Sequence, residues 1–446
     1  MRFFILGFGF LRWLLGVSFA AADEAILAEL EASFERDLIE AWYPRAVDRE
    51  MGGYVTGFDF KWEPTEETDK FLVGQARHVW VLSQLAGYKG DASFAEQARH
   101  GVRFLIDVMW DAENGGFFEG VSQAGEPILE EGKSAYGMSF SIYALAAFYR
   151  ETKDAEALAY AKRAFEWLDR HARDEQEGGY VDDLDLRGKW SRKRIYDSDT
   201  IAIGAKDYNS SIHLLECFTA LYAVWPDDCL RTRLEQMLAI LRDRFVQEPA
   251  YLHLIFDREW RKLSFRDEGR ESVMRHRFVD HVSWGHDVET AFLMLEAAEL
   301  LYGEPGERTS EVAKALVDHA LATGWDAERG SLFEGGYYFG DCGEVEVIMP
   351  QKVWWIAAES LNATLLMSQL YPGEPKYRQA FEDQWAYIKR YLIDAEHGGW
   401  LATGRDSDPA AGSQAKASRW KASYHDGRAY LNCIEMLRES FPLTRH

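Results

Sequence analysis

Cysteine is scarce: Cys217, Cys229, Cys342 and Cys433 are the whole set, with no CxxC pair among them. That spacing excludes a paired-cysteine zinc site and a dense disulfide framework. Basic side chains are outnumbered, 50 Lys and Arg against 74 Asp and Glu, giving a net charge of −24. A surface that acidic repels phosphate backbones and anionic lipid, so nucleic acid and membrane surfaces drop out as partners. Beyond the N-terminus no run of 18 apolar residues occurs, so no later segment reads as a membrane span. Proline is also sparse, 11 in 446 residues, and no Pro/Ser-rich linker interrupts the chain. Although the length allows several domains, the pattern reads as one domain over residues 23–446.

What the chain has is aromatic surface, with 16 Trp and 21 Tyr. Such rings serve a large core or stack on sugar faces, and composition alone does not separate the two. Residues 1–22 combine an early Arg2, an apolar stretch and the small-residue ending Ala20-Ala21-Ala22. That is the form of a secretory signal cut before Asp23, although Arg12 interrupts its apolar stretch. Export to the periplasm or medium is therefore expected. The alternative is a cytoplasmic protein whose first segment is not a working signal.

Self-similarity sets the architecture. The stretch Trp110-Asp-Ala-Glu-Asn-Gly-Gly-Phe-Phe-Glu-Gly120 returns as Trp325-Asp-Ala-Glu-Arg-Gly-Ser-Leu-Phe-Glu-Gly335, and again from Asp394 to Trp400. Related Gly-Gly-Tyr turns stand at Gly52-Gly53-Tyr54 and Gly178-Gly179-Tyr180. Counted on the second glycine or its equivalent, the marks fall at 53, 116, 179, 331 and 399. The steps are 63, 63, 152 and 68, and 152 is twice 76, so a degenerate sixth copy belongs near Leu254.

Between the marks the apolar period is helical. It predicts helix pairs over 24–41 and 69–85, 92–109 and 133–151, 154–172 and 208–225, 228–247 and 285–302, 308–323 and 351–370, and 375–392 and 425–440. Six pairs fit an all-α toroid, an (α/α)6 barrel of six helix hairpins. Short links alternate with long loops that carry the marks. The six helices following long loops begin at one end, where a central cavity should open.

Those six helices carry unusual polar residues near their starts. In order they are Gln75, Arg77 and His78; Lys133 and Tyr136; Asn209, His213 and Glu216; His286 and Glu289; Trp354, Trp355 and Glu359; and His425, Asp426 and Arg428. Asn209, His213 and Glu216 fall at i, i+4, i+7 on one stripe, and His286 and Glu289 at i, i+3. A lone histidine in such a place is a satisfied core residue. The same feature on six same-end helices points to a functional cavity. Two HxxE pairs raise a di-metal centre, but the other helices offer too few inward carboxylates, so no metal is expected. Histidines at helix starts feel the positive end of the dipole and stay neutral, as a general base must.

The stretches Lys70–Val81, Lys133–Tyr149, Asn209–Tyr222, Asp280–Glu296, Trp354–Glu359 and Trp420–Arg428 carry a family resemblance. With its Gly-His-Asp-Val-Glu and Tyr-His-x-Gly-Arg segments, the chain resembles the N-acylglucosamine 2-epimerase superfamily, in its cellobiose 2-epimerase-like branch. The resemblance implies a metal-free isomerase acting at C2 of a free reducing sugar of the cellobiose/mannobiose or glucose/mannose type; no cofactor is expected, and the protein is expected to be a monomer or homodimer. It implies His286 and His425 as the acid/base pair, His213 in ring opening and Arg77 on the C1/C2 oxygens. Asn209 and Glu289 would position the ring or the histidines, and Tyr136 would touch the sugar. Trp354, Trp355 and Trp420 would stack on it, and Glu359 belongs with the substrate-binding set.

Val73, Met138, Ser211 and Ala357 depart from the family's habit at places expected to choose the sugar. Three alternatives stay open. One is an aldose–ketose isomerase of the mannose type on the same site. Another is an inverting glycoside hydrolase using Glu289 and Glu359 across a bond. The third is a non-catalytic sugar-binding protein.

Overall fold

The computed structural model describes residues 18–192, 201–340 and 343–440. Most of the expected signal segment, 1–22, lies outside these residues, as does Cys342. Among the described residues twelve long helices form hairpins. In chain order they are α1 (Ser18–Ser33), α2 (Leu72–Lys89), α3 (Ala92–Phe104), α4 (Ala135–Thr152), α5 (Ala155–His171), α6 (Tyr208–Val224), α7 (Asp228–Ile240), α8 (Trp284–Tyr302), α9 (Glu307–Thr323), α10 (Trp354–Leu370), α11 (Pro375–Tyr387) and α12 (Tyr424–Ser440). Helices α1, α3, α7 and α11 run on into π-helical turns ending at Ile39, Met109, Phe245 and Leu392.

The even-numbered helices pack each on the next, and α12 closes back onto α2. They are buried on nearly every side, as along α8 from Trp284 to Leu295. The odd-numbered helices form the outer ring and bury one stripe; α3 buries only Ala98, Gly101, Val102 and Phe104. This is the expected (α/α)6 barrel. The short links stop and restart the chain with aspartate caps: Asp91, Asp154 and Asp227 accept the first free N–H groups of α3, α5 and α7.

At the other end the long loops are laced to one another. Lys70 pairs with Val121, Lys133 with Leu184 and Lys206 with Phe256. Bridges Val282–Gly336, Val353–Thr403 and Phe58–Ala417 complete a closed circle of loops. These small ribbons, and a short helix at Arg270–Arg275, are additions to the all-helical expectation.

The repeated motif has a physical reading. Asp111 Oδ1 accepts from Glu113 N and Asn114 N, closing a turn, while Oδ2 takes the ammonium of Lys133 at 2.8 Å. Gly116 then adopts φ +73°, a region costly for any residue with a Cβ. The buried ring of Phe117 follows. Lys70–Asp48, Lys206–Asp174, Lys352–Asp326 and Lys416–Asp394 repeat the pair at 2.7, 3.2, 2.8 and 2.6 Å. The degenerate copy is present at Val246–Leu252, where Val246 pairs with Leu252, a few residues before the expected Leu254. It has no aspartate, and Val282 stands where the others place lysine.

Lys133 therefore belongs to the scaffold and not to the cavity. Burial would raise all five aspartates, but lysine, arginine and backbone N–H bonds outweigh it and hold them low, Asp394 at about 2. Burial also lowers Lys70, Lys133, Lys206 and Lys416, so the pairs are costly to bury and costlier to break. A depressed carboxylate stabilises the fold above its unfolded value near 3.8, and that contribution disappears as pH falls through the folded value. The urea midpoint should drop between pH 4 and pH 2, with about 2 kcal/mol from Asp394 alone. A midpoint unchanged from pH 7 to pH 2.5 would contradict this reading.

Candidate active site

Three histidines cluster at the loop end of the inner helices. His286 is the third residue of α8 and His425 the second of α12, while His213 sits a turn deeper in α6. Trp355, in the first turn of α10, lies between two of them, with ring centres 4.4 Å from His286 and 5.9 Å from His425. Tyr208 meets the other side of His286 at 4.5 Å. Phe140 and Tyr136 pack on His213 at 4.5 and 5.5 Å.

Each imidazole is held through Nδ1. His425 meets Glu359 Oε1 at 2.5 Å, His213 meets Glu216 Oε2 at 2.9 Å, and His286 meets Ser283 Oγ at 2.6 Å. Glu359 Oε1 also faces Arg428 Nη2 at 2.7 Å, so that oxygen is an acceptor twice over. His425 then carries its proton on Nδ1 and its lone pair on Nε2. Arg77 agrees with this assignment, since its Nη2, which can only donate, stands 3.5 Å from that Nε2. Ser283 can either donate or accept, so His286 is free to hold its proton on either nitrogen.

Burial lowers His286 and His425 well below the ordinary histidine value, with neighbouring His281 and His213 adding to the shift at His286 and Arg77 and Arg428 at His425. Desolvation, more than a place at a helix start, is the main cause of this lowering, and it favours the neutral form. Arg77 donates from Nη2 to the Tyr136 hydroxyl at 3.1 Å and from Nη1 to the Trp420 carbonyl at 2.9 Å. Its guanidinium lies over Phe140 at 4.6 Å, at the rim of the same space.

Below the histidines sits Arg428, which joins the site from behind. Its guanidinium binds Glu216, Glu289 and Glu359, and donates to Tyr424 OH at 2.7 Å. Burial would raise Glu216, but Arg428 and His213 reverse this and hold it at about 2. At Glu359 burial prevails, Arg428 opposing and Glu289 adding, and the carboxyl is raised well above the usual range. Arg428 was visible in the sequence, but its role as a hub was not. The available signal was its place three residues after His425 and four after Tyr424, on one helix face.

This geometry corrects several expectations. Glu289 and Glu359 are each 1 % exposed and face Arg428, so they support the histidines and do not form part of the cavity surface. One oxygen of each lies within 4.8 Å of the other's, both turned to the same guanidinium, whereas an inverting hydrolase needs its carboxyl groups about 6.5–9.5 Å apart with room for water between. With His425 they could in principle hold a metal ion, but the Arg428 guanidinium already meets their charge.

His78 is a core histidine, enclosed by Trp42, Tyr43 and Tyr54 and lowered by burial to about 3. Gln75 ties down the Tyr54 backbone. Of the tryptophan pair, Trp355 faces the histidines, while Trp354 turns toward Lys421. Asn209 is half-buried in the first turn of α6, one turn before His213. Trp420 is 42 % exposed on the loop before α12, its ring against Phe71. Met138 packs under the 110–117 turn through Phe117 N, Ser211 bonds back to Asp207 O, and Val73 and Ala357 are buried. These departures alter packing behind the site more than its surface.

Among the described residues no helix is long and apolar enough to cross a membrane. A family model described as N-acylglucosamine 2-epimerase matches residues 52–428. The chain is 30% identical over 423 residues to a cellobiose 2-epimerase from Bacteroides fragilis, covering 94% of this chain and 100% of that one. A D-mannose isomerase from Thermobifida fusca is 24% identical over 351 residues, 76% of this chain and 77% of that one. The solved structure of cellobiose 2-epimerase from Spirochaeta thermophila superposes with a TM-score of 0.82 at 28% identity, covering 95% of this chain and 99% of that one.

Proposed function

Since the chain belongs to the N-acylglucosamine 2-epimerase family and is a carbohydrate epimerase of the isomerase class, we propose that it inverts C2 of a free reducing sugar by proton transfer between His286 and His425. The observation that carries the proposal is the pair of imidazoles on either side of Trp355, with the Arg77 donors beside them. A cellobiose-type disaccharide is the substrate class that the most similar relatives' names support.

The chemistry follows from the groups. A C2 proton is acidic only when C1 is a carbonyl, so the ring opens first, with His213 exchanging a proton at the ring or anomeric oxygen. His425 Nε2, which carries the lone pair and faces Arg77 Nη2, takes the C2 proton. The negative charge that moves to O1 falls to Arg77, and a donor of that kind is worth about 2.7–4 kcal/mol. His286, neutral at rest, takes a proton from solvent and delivers it to the other face, its Ser283 partner accommodating either tautomer, while His425 releases the proton it took to solvent, so the cycle closes with no net proton. Trp355 fixes the sugar between the two rings. Delivery of the proton to C1 would instead give a ketose, the mannose-isomerase outcome.

Proton NMR in D2O with cellobiose, mannobiose, glucose and mannose tests the reading. Deuterium at C2 with epimer formation is the expected result. Ketose formation would move the activity to isomerisation, and no exchange with any of these sugars would overturn the proposal. The pH profile provides a second check. Both bases are depressed by burial, so they stay neutral until the pH is well under 6.5. kcat/KM should be flat from about pH 6 to 8 and fall only on the acid side of that window. An acid limb centred at 6.5 or above would contradict the assignment.

A further inference from the structure

The far ends of the same inner helices enclose a second cavity, at the mouth opposite the histidines, of about 130 Å3. A void of roughly 150 Å3 accepts one six-membered ring. Its walls include the rings of Trp80, Tyr143 and Phe292, which offer flat apolar faces. Its polar groups are mismatched. Trp80 Nε1, Asn362 Nδ2 and Arg428 Nε are buried nitrogens without a hydrogen-bond partner, in side chains at most 2 % exposed. Opposite in character is Glu296, whose carboxylate has no hydrogen bond or ion pair among the described residues.

Glu296 sits in the middle of a buried helix, yet its surface opens to the cavity. Glu296 is itself exposed at this mouth, yet desolvation by the helices around it raises its carboxyl to about 7, Arg428 pulling down and Glu216 pushing up.

The mismatch selects the ligand. An organic cation would suit Glu296 but leave three donors unmet. A carboxylate would suit the donors but meet Glu296 and Glu299. Hydroxyl groups both donate and accept, and the C–H faces of a pyranose stack on aromatic rings. We infer that this cavity binds a neutral hydroxylated six-membered ring of the monosaccharide class, separately from the catalytic end. Arg428 is the partition between the two, lining this cavity while its guanidinium holds the carboxylates behind His213 and His425.

Methyl β-D-glucopyranoside is the probe, because its blocked C1 cannot open to a carbonyl and it is not consumed. Calorimetric titration of the full chain should give binding that survives Trp355→Ala at the catalytic end. Ala223→Trp, at an exposed alanine on the cavity rim, should abolish that binding, and Glu296→Gln should weaken it about tenfold. Binding lost in Trp355→Ala, or unchanged in both Ala223→Trp and Glu296→Gln, overturns the inference, as does binding of tetramethylammonium in place of the glucoside. The titration reads binding without turnover, so it succeeds or fails independently of the C2 chemistry.

Discussion

Replacing either His286 or His425 by asparagine should stop epimer formation, with a loss of about 10²–10⁴-fold in kcat, the usual contribution of one positioned acid or base. The reason is stereochemical. Inversion at C2 needs a proton removed from one face and returned to the other, and each imidazole serves one face. A single variant keeps one of them, so it should still exchange the C2 proton of one epimer with D2O while forming none of the other. Complementary retention in the two variants would identify the face each histidine serves. Asparagine keeps a donor near Glu359 or Ser283, and neither histidine is part of the apolar core, so melting temperatures should stay close to that of the parent. Epimerisation at the parent rate in either variant would sink the two-base scheme.

Arg428→Met should be the most destabilising single change at the site. It strands Glu216, Glu289 and Glu359, all 5 % exposed or less, without their cation. Breaking a buried ion pair from one side costs about 3–5 kcal/mol, and here three carboxylates share the loss. Protonation of the carboxyls limits the damage, so acid pH should narrow the gap between variant and parent. Adding Glu289→Gln to Arg428→Met should recover part of the loss, because the two residues are in direct contact and their effects are not additive. Arg428→Lys retains the charge but not the fork, and should recover stability more than turnover, since one ammonium cannot orient both Glu216 and Glu359. Urea unfolding of the four proteins checks this. A cost within about 1 kcal/mol for Arg428→Met would remove the hub from the account.

Much of this architecture was legible in one dimension. The turn motif repeats because five of the six copies do the same work: an aspartate closes the turn, a glycine takes the positive φ, and a lysine ahead of the next inner helix neutralises the charge. Local chemistry of that kind is written in adjacent residues, so the six hairpins, most of the helix starts and the degenerate copy could be read directly, although α1 is already helical at Ser18 where 24 was expected. The histidines at the starts of α8 and α12 were legible for the same reason, since position along a helix needs no knowledge of its neighbours.

Direction was not legible. An outer helix shows one apolar stripe and so declares its inward face, but an inner helix of a toroid is buried all round and declares none. Glu289 and Glu359 could equally have faced a sugar, a metal or each other. The closing of α12 against α10 and α2 brought Arg428 within reach of both. Lys133, His78 and Met138 looked like cavity residues and proved to be scaffold, because the loops that cover them arrive from elsewhere in the chain. The second cavity has no sequence signature at all, being the space left where six helix ends converge. The sequence determined which elements form and where they start. Packing around a closed ring decided which side chains meet, because burial on every side removes the polarity pattern that would have announced it.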